Sequence, residues 1–190
     1  MTKEYIGDQD FKGINFLENP LKTANYENCQ FVNSIFANCD LSEIHFAECL
    51  FRDCDFSLAR LKNTSIRECS FEGCKMLGLR FEDCHKFLLS MDFKNCQLNL
   101  STFYQLDMKK TRFAGCSLHE ADFTETNLAG AVFHECDLTR AVFDQTNLEQ
   151  ADLSTSYGFI IDPENNRMKK ARFSLSGLAG LLVKYGIVVE

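Results

Sequence analysis

Large apolar side chains recur at every fifth position over most of this 190-residue chain. One run steps from Phe11 to Phe81 and a second from Leu88 to Leu153, and neither contains an exception. A period of five matches neither the 3.6 residues of an α-helical turn nor the two-residue alternation of a β-strand. Neither element could bury all of these side chains on one face. The chain must therefore turn a corner about every five residues.

The residue two positions before each central one is usually small, as at Ala24, Cys29 and Ala121. Both positions are therefore expected to face inward. A square coil with four five-residue sides, about 20 residues per turn, buries this pattern when its turns stack by backbone hydrogen bonds. From Phe93 to Leu148 the central residue also alternates between Phe and Leu or Met, which predicts two opposite sides that stack phenylalanines. The two runs predict about seven coils and a rod roughly 35 Å long.

Nine of the ten cysteines lie two positions before a central residue, and Cys84 takes the same place in the five-residue step just where the repeat breaks. We interpret them as small apolar core residues and not as disulfides or a zinc site, because a cytosolic chain keeps its thiols reduced. The positions are Cys29, Cys39, Cys49, Cys54, Cys69, Cys74, Cys84, Cys96, Cys116 and Cys136. The histidines are expected to be separate solvated groups, at positions His45, His85, His119 and His134. No metal site and no cofactor is predicted.

Charge and composition narrow the class of protein. The first eleven residues include four charged side chains and no apolar core of a signal peptide. No stretch approaches the roughly 18 apolar residues of a membrane span, so a soluble, cytoplasmic protein without a membrane partner is expected. The net charge of −7 argues against direct nucleic-acid binding. No phosphate loop or nucleophile–base pair is present, so the chain is not predicted to be an enzyme.

The repeat breaks once, between Phe81 and Leu88, which are seven residues apart. This register slip at residues 82–87 has two interpretations. It is either a bulge that kinks the rod or a small protruding loop that contacts a partner. In the second case the contact residues would be His85, Lys86 and Phe87.

The pattern ends with a turn-rich loop at residues 154–167 and a last partial coil, so residues 1–173 form the predicted β-helix. Residues 174–190 follow as a short amphipathic helix, capped by Ser174 or Ser176 and ended by Gly186, with an apolar tail. This segment either only caps the coil or also forms a two-fold dimer. The candidate interface residues are Leu178, Leu181, Leu182, Tyr185, Ile187 and Val189.

Motifs such as Ala121-Asp122-Phe123 and Ala151-Asp152-Leu153 resemble the A(D/N)LXX repeat of the pentapeptide-repeat family, over residues 11–153. The ending at residues 177–187 is similar to the dimerisation element of the Qnr and MfpA-like branch. The resemblance implies an all-β fold, a right-handed quadrilateral β-helix with a short C-terminal α-helix, and a homodimer. Proteins of this branch resemble duplex DNA and bind DNA gyrase or topoisomerase IV, protecting them from quinolones. The implied partner is therefore a protein and not nucleic acid.

If the register slip adds no corner, one side of the coil carries a column of carboxylates as a candidate partner-binding face. They are Asp40, Glu43, Glu82, Asp83, Asp122, Glu125 and Asp144. The later half of this column has no Lys or Arg, whereas the earlier half also carries Lys22, Arg60, Lys62 and Arg80. Two functions stay open: a DNA mimic that binds a type II topoisomerase, or a general protein-interaction scaffold of unknown partner.

Overall fold

A computed structural model describes residues 3–187 of the chain. The chain winds into a β-solenoid of about eight turns, nearly all of it sheet, which confirms the predicted fold class. Residues about one turn apart pair in parallel register, as in Glu4 with Ala24 and Phe31 with Phe51. The first strand precedes Phe11, where the predicted series begins, and it supplies the missing side of the first coil. Residues 154–173 form a further turn, which is closed by the pairing of Asp152 with Arg172. Ile6, five residues before Phe11, packs against the core of this first coil.

Two sides of the coil form continuous parallel sheets. The four-stranded sheet contains Glu4–Gly7, Ala24–Glu27, His45–Ala47 and Ser65–Arg67. The nine-stranded sheet contains Asp10–Lys12, Gln30–Val32, Leu50–Arg52, Cys69–Glu72, Met91–Lys94, Arg112–Ala114, Val132–His134, Asp152–Leu153 and Arg172–Phe173. The remaining sides are joined by single bridges between successive turns, such as Asn15 with Ile35. Five-residue sides are too short for longer strands, because the chain must turn at each corner.

Most corners are formed by the residue two positions after a central one, which adopts a left-handed backbone conformation. Asn is well suited to this conformation, and Asn28 and Asn33 both have φ of 51°. Charged residues occupy the same position elsewhere, including Glu43 and Glu125. The corner geometry therefore projects these two carboxylates away from the core.

Phenylalanine stacks fill the interior. Phe103 and Phe123 are stacked with ring centroids 4.9 Å apart, whereas Phe113 and Phe123, from opposite sides of the coil, meet edge to face at 6.1 Å. Both arrangements are favourable for aromatic quadrupoles. The columns through Phe93 and Phe103 confirm the predicted alternation, since each continues with phenylalanine one turn later. One interior cavity, beside Phe46 and Phe71, has a volume of only about 10 Å³.

The cysteines pack in this core as predicted. All ten are buried and carry free thiols. Eight of the ten sulfurs donate to backbone carbonyls, as Cys74 Sγ does to the Phe51 oxygen at 3.5 Å. Burial raises the pKa of the Cys84 thiol well above its usual range. A buried thiol of this kind stays neutral and behaves as a small apolar side chain.

The register slip adds two residues and no corner. Pairing shifts from an offset of 20 residues to 22, as in Cys69 with Met91 and Arg80 with Thr102. A 3₁₀ turn, Phe81–Asp83, leads into the insertion. The assignment of Leu88 as a central core residue is wrong, because its side chain is 59% exposed.

Leu89 packs against the core in place of Leu88. Leu88 instead has a φ of 57°, in the left-handed region. The extra residues form a protruding segment that we call the 84–90 loop. Strand pairing resumes directly after it, at Met91.

The predicted C-terminal helix is present but is α-helical only over Ala179–Leu182. The flanking turns Ser176–Leu178 and Val183–Tyr185 are 3₁₀. Ser174, one of the two predicted capping residues, accepts a hydrogen bond from the Gly177 amide at 3.0 Å. Gly186 ends the segment with a φ of 62°. Two glycines within a segment of about ten residues lower its intrinsic helical propensity, which accounts for the short α-helical part.

Neither a membrane-spanning helix nor a metal-binding cluster is found in the part of the chain that the structure describes. None of the helices among residues 3–187 is long and apolar enough to cross a bilayer. Within the same residues, His, Cys, Asp and Glu side chains do not gather in threes around a possible metal position.

Candidate protein-interaction surface

The seven predicted carboxylates lie on one side of the solenoid. Isolated backbone β-bridges pair Asp40 with Arg60. Further along the same side they pair Arg80 with Thr102 and Thr102 with Asp122. The two groups are linked by a hydrogen bond from the Asn63 amide to the Asp83 carbonyl at 2.9 Å, and the same side continues to Asp144. The side is continuous because the register slip inserts two residues but no corner, so later turns stay aligned with earlier ones. We call this side the acidic face.

The first two carboxylates of the acidic face are neutralised by neighbouring cations. Asp40 lies 3.8 Å from Arg60, and hydrogen bonds from Ser42 together with this arginine lower the pKa of Asp40. Glu43 lies 3.7 Å from the Lys3 ammonium. A hydrogen bond from Asn63, at 2.8 Å, is the main cause of the lowered pKa of Glu43.

Arg80 neutralises the next two carboxylates. Its guanidinium lies 3.1 Å from Glu82 and 3.5 Å from Asp83. Glu82 also accepts a hydrogen bond from Thr102, and only 14% of its side chain is exposed. Lys22, which was expected to offset this half of the face, pairs instead with Glu4 at 3.2 Å. The earlier half of the acidic face therefore presents little free negative charge.

The later half is different, and we call Asp122, Glu125 and Asp144 the upper acidic patch. Among residues 3–187, none of these three carboxylates forms an ion pair. Neutral groups hold them in place: the Thr124 amide donates to Asp122 at 2.8 Å, and Gln105 donates to Glu125 at 2.7 Å.

The side-chain amide of Asn165 donates to Asp144 in the same way. Neutral donors fix the carboxylates of the patch without cancelling their charge. The upper acidic patch therefore combines defined positions with negative charge that no cation of the described chain offsets.

The acidic face ends at an ion-pair cluster between the last coil and the C-terminal segment, which the sequence analysis missed. Asp162 and Glu164 continue the face, but the Lys184 ammonium lies 2.8 Å from the first and 2.7 Å from the second. These bonds from Lys184 lower the pKa of both carboxylates. The Tyr185 hydroxyl also donates to Glu164 at 2.8 Å. The sequence did contain a signal for these two acids. Met168 is in five-residue register with Leu153, which indicates that the coil continues beyond Leu153 and carries the acidic face with it.

The C-terminal segment docks against the last coil. The Ile161 amide donates to the Gly180 carbonyl at 3.1 Å, and Leu181 packs against the core. Of the predicted interface residues, Leu181 and Leu182 are half-buried by their own chain, and the Tyr185 hydroxyl is held by Glu164. Val189 lies outside the described residues.

Besides Tyr185, four aliphatic side chains of this segment remain exposed, and we call these four the C-terminal apolar set. They are Leu175, Leu178, Val183 and Ile187. Leu175 is 89% exposed, which makes it the most exposed large apolar side chain in the described chain. Sequence reasoning missed Leu175 and Val183, because both lie off the helical stripe of Leu178, Leu181, Leu182 and Tyr185.

Gly180 makes the docking testable, because a Cβ atom there would lie 2.2 Å from the Phe159 carbonyl oxygen. We expect Gly180→Ala to push the segment off the coil at a cost of about 1–3 kcal/mol. Hydrogen exchange at the Ile161 amide, which loses its acceptor, should accelerate at least roughly tenfold. Ala179→Ser, at an exposed neighbouring position, is the control. Unchanged protection of Ile161 in Gly180→Ala would contradict this docking.

The 84–90 loop presents the three predicted contact residues in different ways. Phe87 is 69% exposed, and the His85 ring lies edge-on to it with centroids 6.5 Å apart. Lys86 reaches across to the Gln105 carbonyl at 3.4 Å. The expectation that all histidines lie apart is wrong, because His85 and His45 line one cavity. They are two turns apart, so the coil brings them to the same side.

Comparison with known proteins agrees with this architecture. The sequence model described as "Pentapeptide repeat region" matches residues 44–123, and the one described as "Pentapeptide repeats (8 copies)" matches residues 116–154. No curated protein matches the chain.

Two solved structures of QnrB1, each described as a plasmid-mediated fluoroquinolone resistance protein, are similar in fold. A trypsin-treated form has a TM-score of 0.63 at 17% identity, covering 96% of this chain and 99% of that one. The full-length form has a TM-score of 0.53 at 18% identity, covering 96% of this chain and 100% of that one. The repeat period, the square coil and the matches over residues 44–154 together lead to one conclusion: this chain belongs to the pentapeptide-repeat family.

Proposed function

We propose that this chain is a non-enzymatic, cytoplasmic DNA mimic that binds a type II topoisomerase, either DNA gyrase or topoisomerase IV, and protects it from quinolones. The upper acidic patch carries the proposal. Asp122 and Glu125 stand on one turn and Asp144 on the next, with no ion pair to residues 3–187, and neutral donors fix all three. A row of fixed negative charges is what a groove built for duplex DNA attracts.

Two further observations support this assignment. The net charge of −7 favours steering toward a basic groove. The fold is similar to that of QnrB1, which is described as a fluoroquinolone resistance protein. The likeness to QnrB1 supports the shape of the rod, whereas the charge on the acidic face supports the kind of partner.

The C-terminal apolar set supports a homodimer. Leu175 and Leu178 are exposed at the end of the solenoid, where a second copy could cover them and double the length of the rod. We expect Leu175→Asp with Leu178→Asp to give a monomer in light scattering coupled to size exclusion, while the native chain is a dimer. Leu17→Asp, which changes an exposed leucine near the other end, should leave the dimer intact. A monomeric native chain would rule out this interface.

Direct binding distinguishes mimicry from other contacts with the enzyme. Immobilised gyrase should bind the chain, and a duplex DNA fragment should displace it, because both would occupy the same groove. Binding that DNA does not affect would place the contact elsewhere on the enzyme and remove the DNA-mimic proposal.

A general protein-interaction scaffold is the second candidate, and one observation favours it. The earlier half of the acidic face is neutralised by Arg60, Lys3 and Arg80, so the negative charge does not run the length of the rod. The exposed Phe87, flanked by His85 and Lys86, would then be the main anchor for a partner. Phe87→Ala should weaken partner binding more than charge reversal of the upper acidic patch if this candidate holds.

A further inference from the structure

An open cavity of about 530 Å³ lies between the outer surface of the four-stranded sheet and the 84–90 loop. The residues that matter for its chemistry are Lys3, Glu43, His45, Arg67, His85 and Phe87. The cavity is apart from the upper acidic patch, which lies on later turns of the coil. The 84–90 loop borders the cavity from the next turn, where it is bonded to the chain around the strand Ser65–Arg67 through the His85 and Ser90 amides.

The fixed charges that line this cavity are mainly positive. Lys3 donates to the Glu43 carbonyl at 2.6 Å and to Nε2 of His45 at 2.7 Å. An ammonium group only donates, so Nε2 of His45 accepts, and the ring is neutral with its proton on Nδ1. Glu43 is the one carboxylate in the lining, and Asn63 and Lys3 already bind it.

Arg67 is the cation that remains available. Its side chain is exposed, and its guanidinium makes neither an ion pair nor a hydrogen bond with any other residue in the 3–187 range. Arginine offers several donors in a planar fork that matches the oxygens of a phosphate group. Arg67 and Lys3 therefore give the lining two permanent positive charges against one carboxylate.

The pKa of His45 is lowered by its surroundings in this cavity. Burial lowers the pKa of its ring, and Lys3, Arg67 and His85 lower it further, against a smaller opposing effect of Glu43. The net electrostatic effect at His45 is thus that of a positive cavity. An anion placed there would offset the repulsion among these groups and favour a cationic His45 ring, whose Nε2 would then donate to the anion and no longer accept from Lys3.

We propose that this cavity binds a small tetrahedral oxyanion of the phosphate class, held by Arg67 and Lys3 with His45 and His85, and shielded on one side by Phe87. The proposal does not depend on topoisomerase binding, because it uses neither the acidic patch nor the dimer contacts. Anion binding favours the protonated His45 ring, so it raises the pKa of His45 and becomes tighter as the pH falls through the titration of that ring.

Histidine-ring NMR tests the proposal on the full chain. Inorganic sulfate is the probe, because it is a tetrahedral oxyanion whose charge stays constant while histidines titrate. Sulfate should shift the His45 and His85 resonances saturably, and it should raise the pKa of His45 relative to sodium chloride at equal ionic strength. His119 and His134, outside the cavity, are internal controls. Equal responses of all four rings, or none beyond that of chloride, would overturn the proposal.

Arg67→Gln distinguishes specific sulfate binding in this cavity from general attraction of sulfate to positive charge on the protein. The substitution removes an exposed side chain, so the fold should be retained, and sulfate affinity should fall about tenfold or more. The matched control is Arg140→Gln. Arg140 is also exposed, but it pairs with Glu120 and lies on a turn of the coil well beyond the cavity. The two variants have the same net charge, so equal affinities in them would contradict the site.

Discussion

Charge reversal of the upper acidic patch, by Asp122→Lys, Glu125→Lys and Asp144→Lys together, is expected to abolish binding to a type II topoisomerase. All three carboxylates lie outside the core, and none has a cationic partner within residues 3–187, so no native ion pair is broken. The exchange turns three attractive contacts with a basic groove into repulsive ones. Binding to immobilised gyrase should fall below detection, while the β-type circular dichroism spectrum stays unchanged.

A second triple variant makes this result specific to the acidic face. Glu27, Glu48 and Glu68 are exposed on another side of the coil, and they too lack ion pairs among the described residues. Their reversal to lysine changes the net charge by the same amount and should leave binding largely intact. Equal loss in both triples would mean that overall charge matters and the acidic face does not. If the Asp122, Glu125 and Asp144 triple variant lost its β-type circular dichroism spectrum, its loss of binding would reflect unfolding. That outcome would contradict the assignment of these three side chains to the surface.

Phe123→Ala is expected to reduce the free energy of unfolding by about 3–5 kcal/mol. The ring is fully buried and stacks between Phe103 and Phe143, at 4.9 and 5.2 Å. Phe113 and Phe133 meet it edge to face. Stacked turns cannot collapse into the gap, because backbone hydrogen bonds fix their spacing on every side. Urea unfolding followed by circular dichroism measures the loss.

The matched control is the same substitution at an exposed ring. Phe87 lies on the 84–90 loop with most of its surface in solvent, so Phe87→Ala should change stability by no more than about 0.5 kcal/mol. A loss below about 1 kcal/mol in Phe123→Ala, or equal losses in the two variants, would contradict the role of the phenylalanine stacks as the core of the rod.

The fold was predictable because one simple pattern controls it. A large residue every five positions, with a small one two positions before it, is sufficient to assign Phe123 and Cys136 to the core, where both are buried. The errors occurred where neighbouring residues are alike. Leu88 and Leu89 are both apolar, so counting alone could not decide which one faces inward. A series that starts at Phe11 omits the first side of the first coil, although Ile6 fits the same period.

The candidate site was less predictable, since its electrostatics depend on where long side chains point. The sequence places carboxylates on one side of the coil, but it does not show that Lys22 turns toward Glu4 or that Lys184 reaches Asp162. Contacts of this kind join residues about one turn apart, and a lysine near a corner has several acids within reach. The division of the acidic face into a neutralised half and a free half therefore depends on side-chain directions that the five-residue period does not encode.

Gyrase supercoiling, with and without ciprofloxacin, tests the central claim most directly. Rising amounts of the native chain should either restore supercoiling in the presence of the drug or inhibit it in the drug's absence, and the Asp122, Glu125 and Asp144 triple reversal should do neither. No effect of the native chain on either reaction at many-fold excess over the enzyme would contradict a topoisomerase-directed DNA mimic.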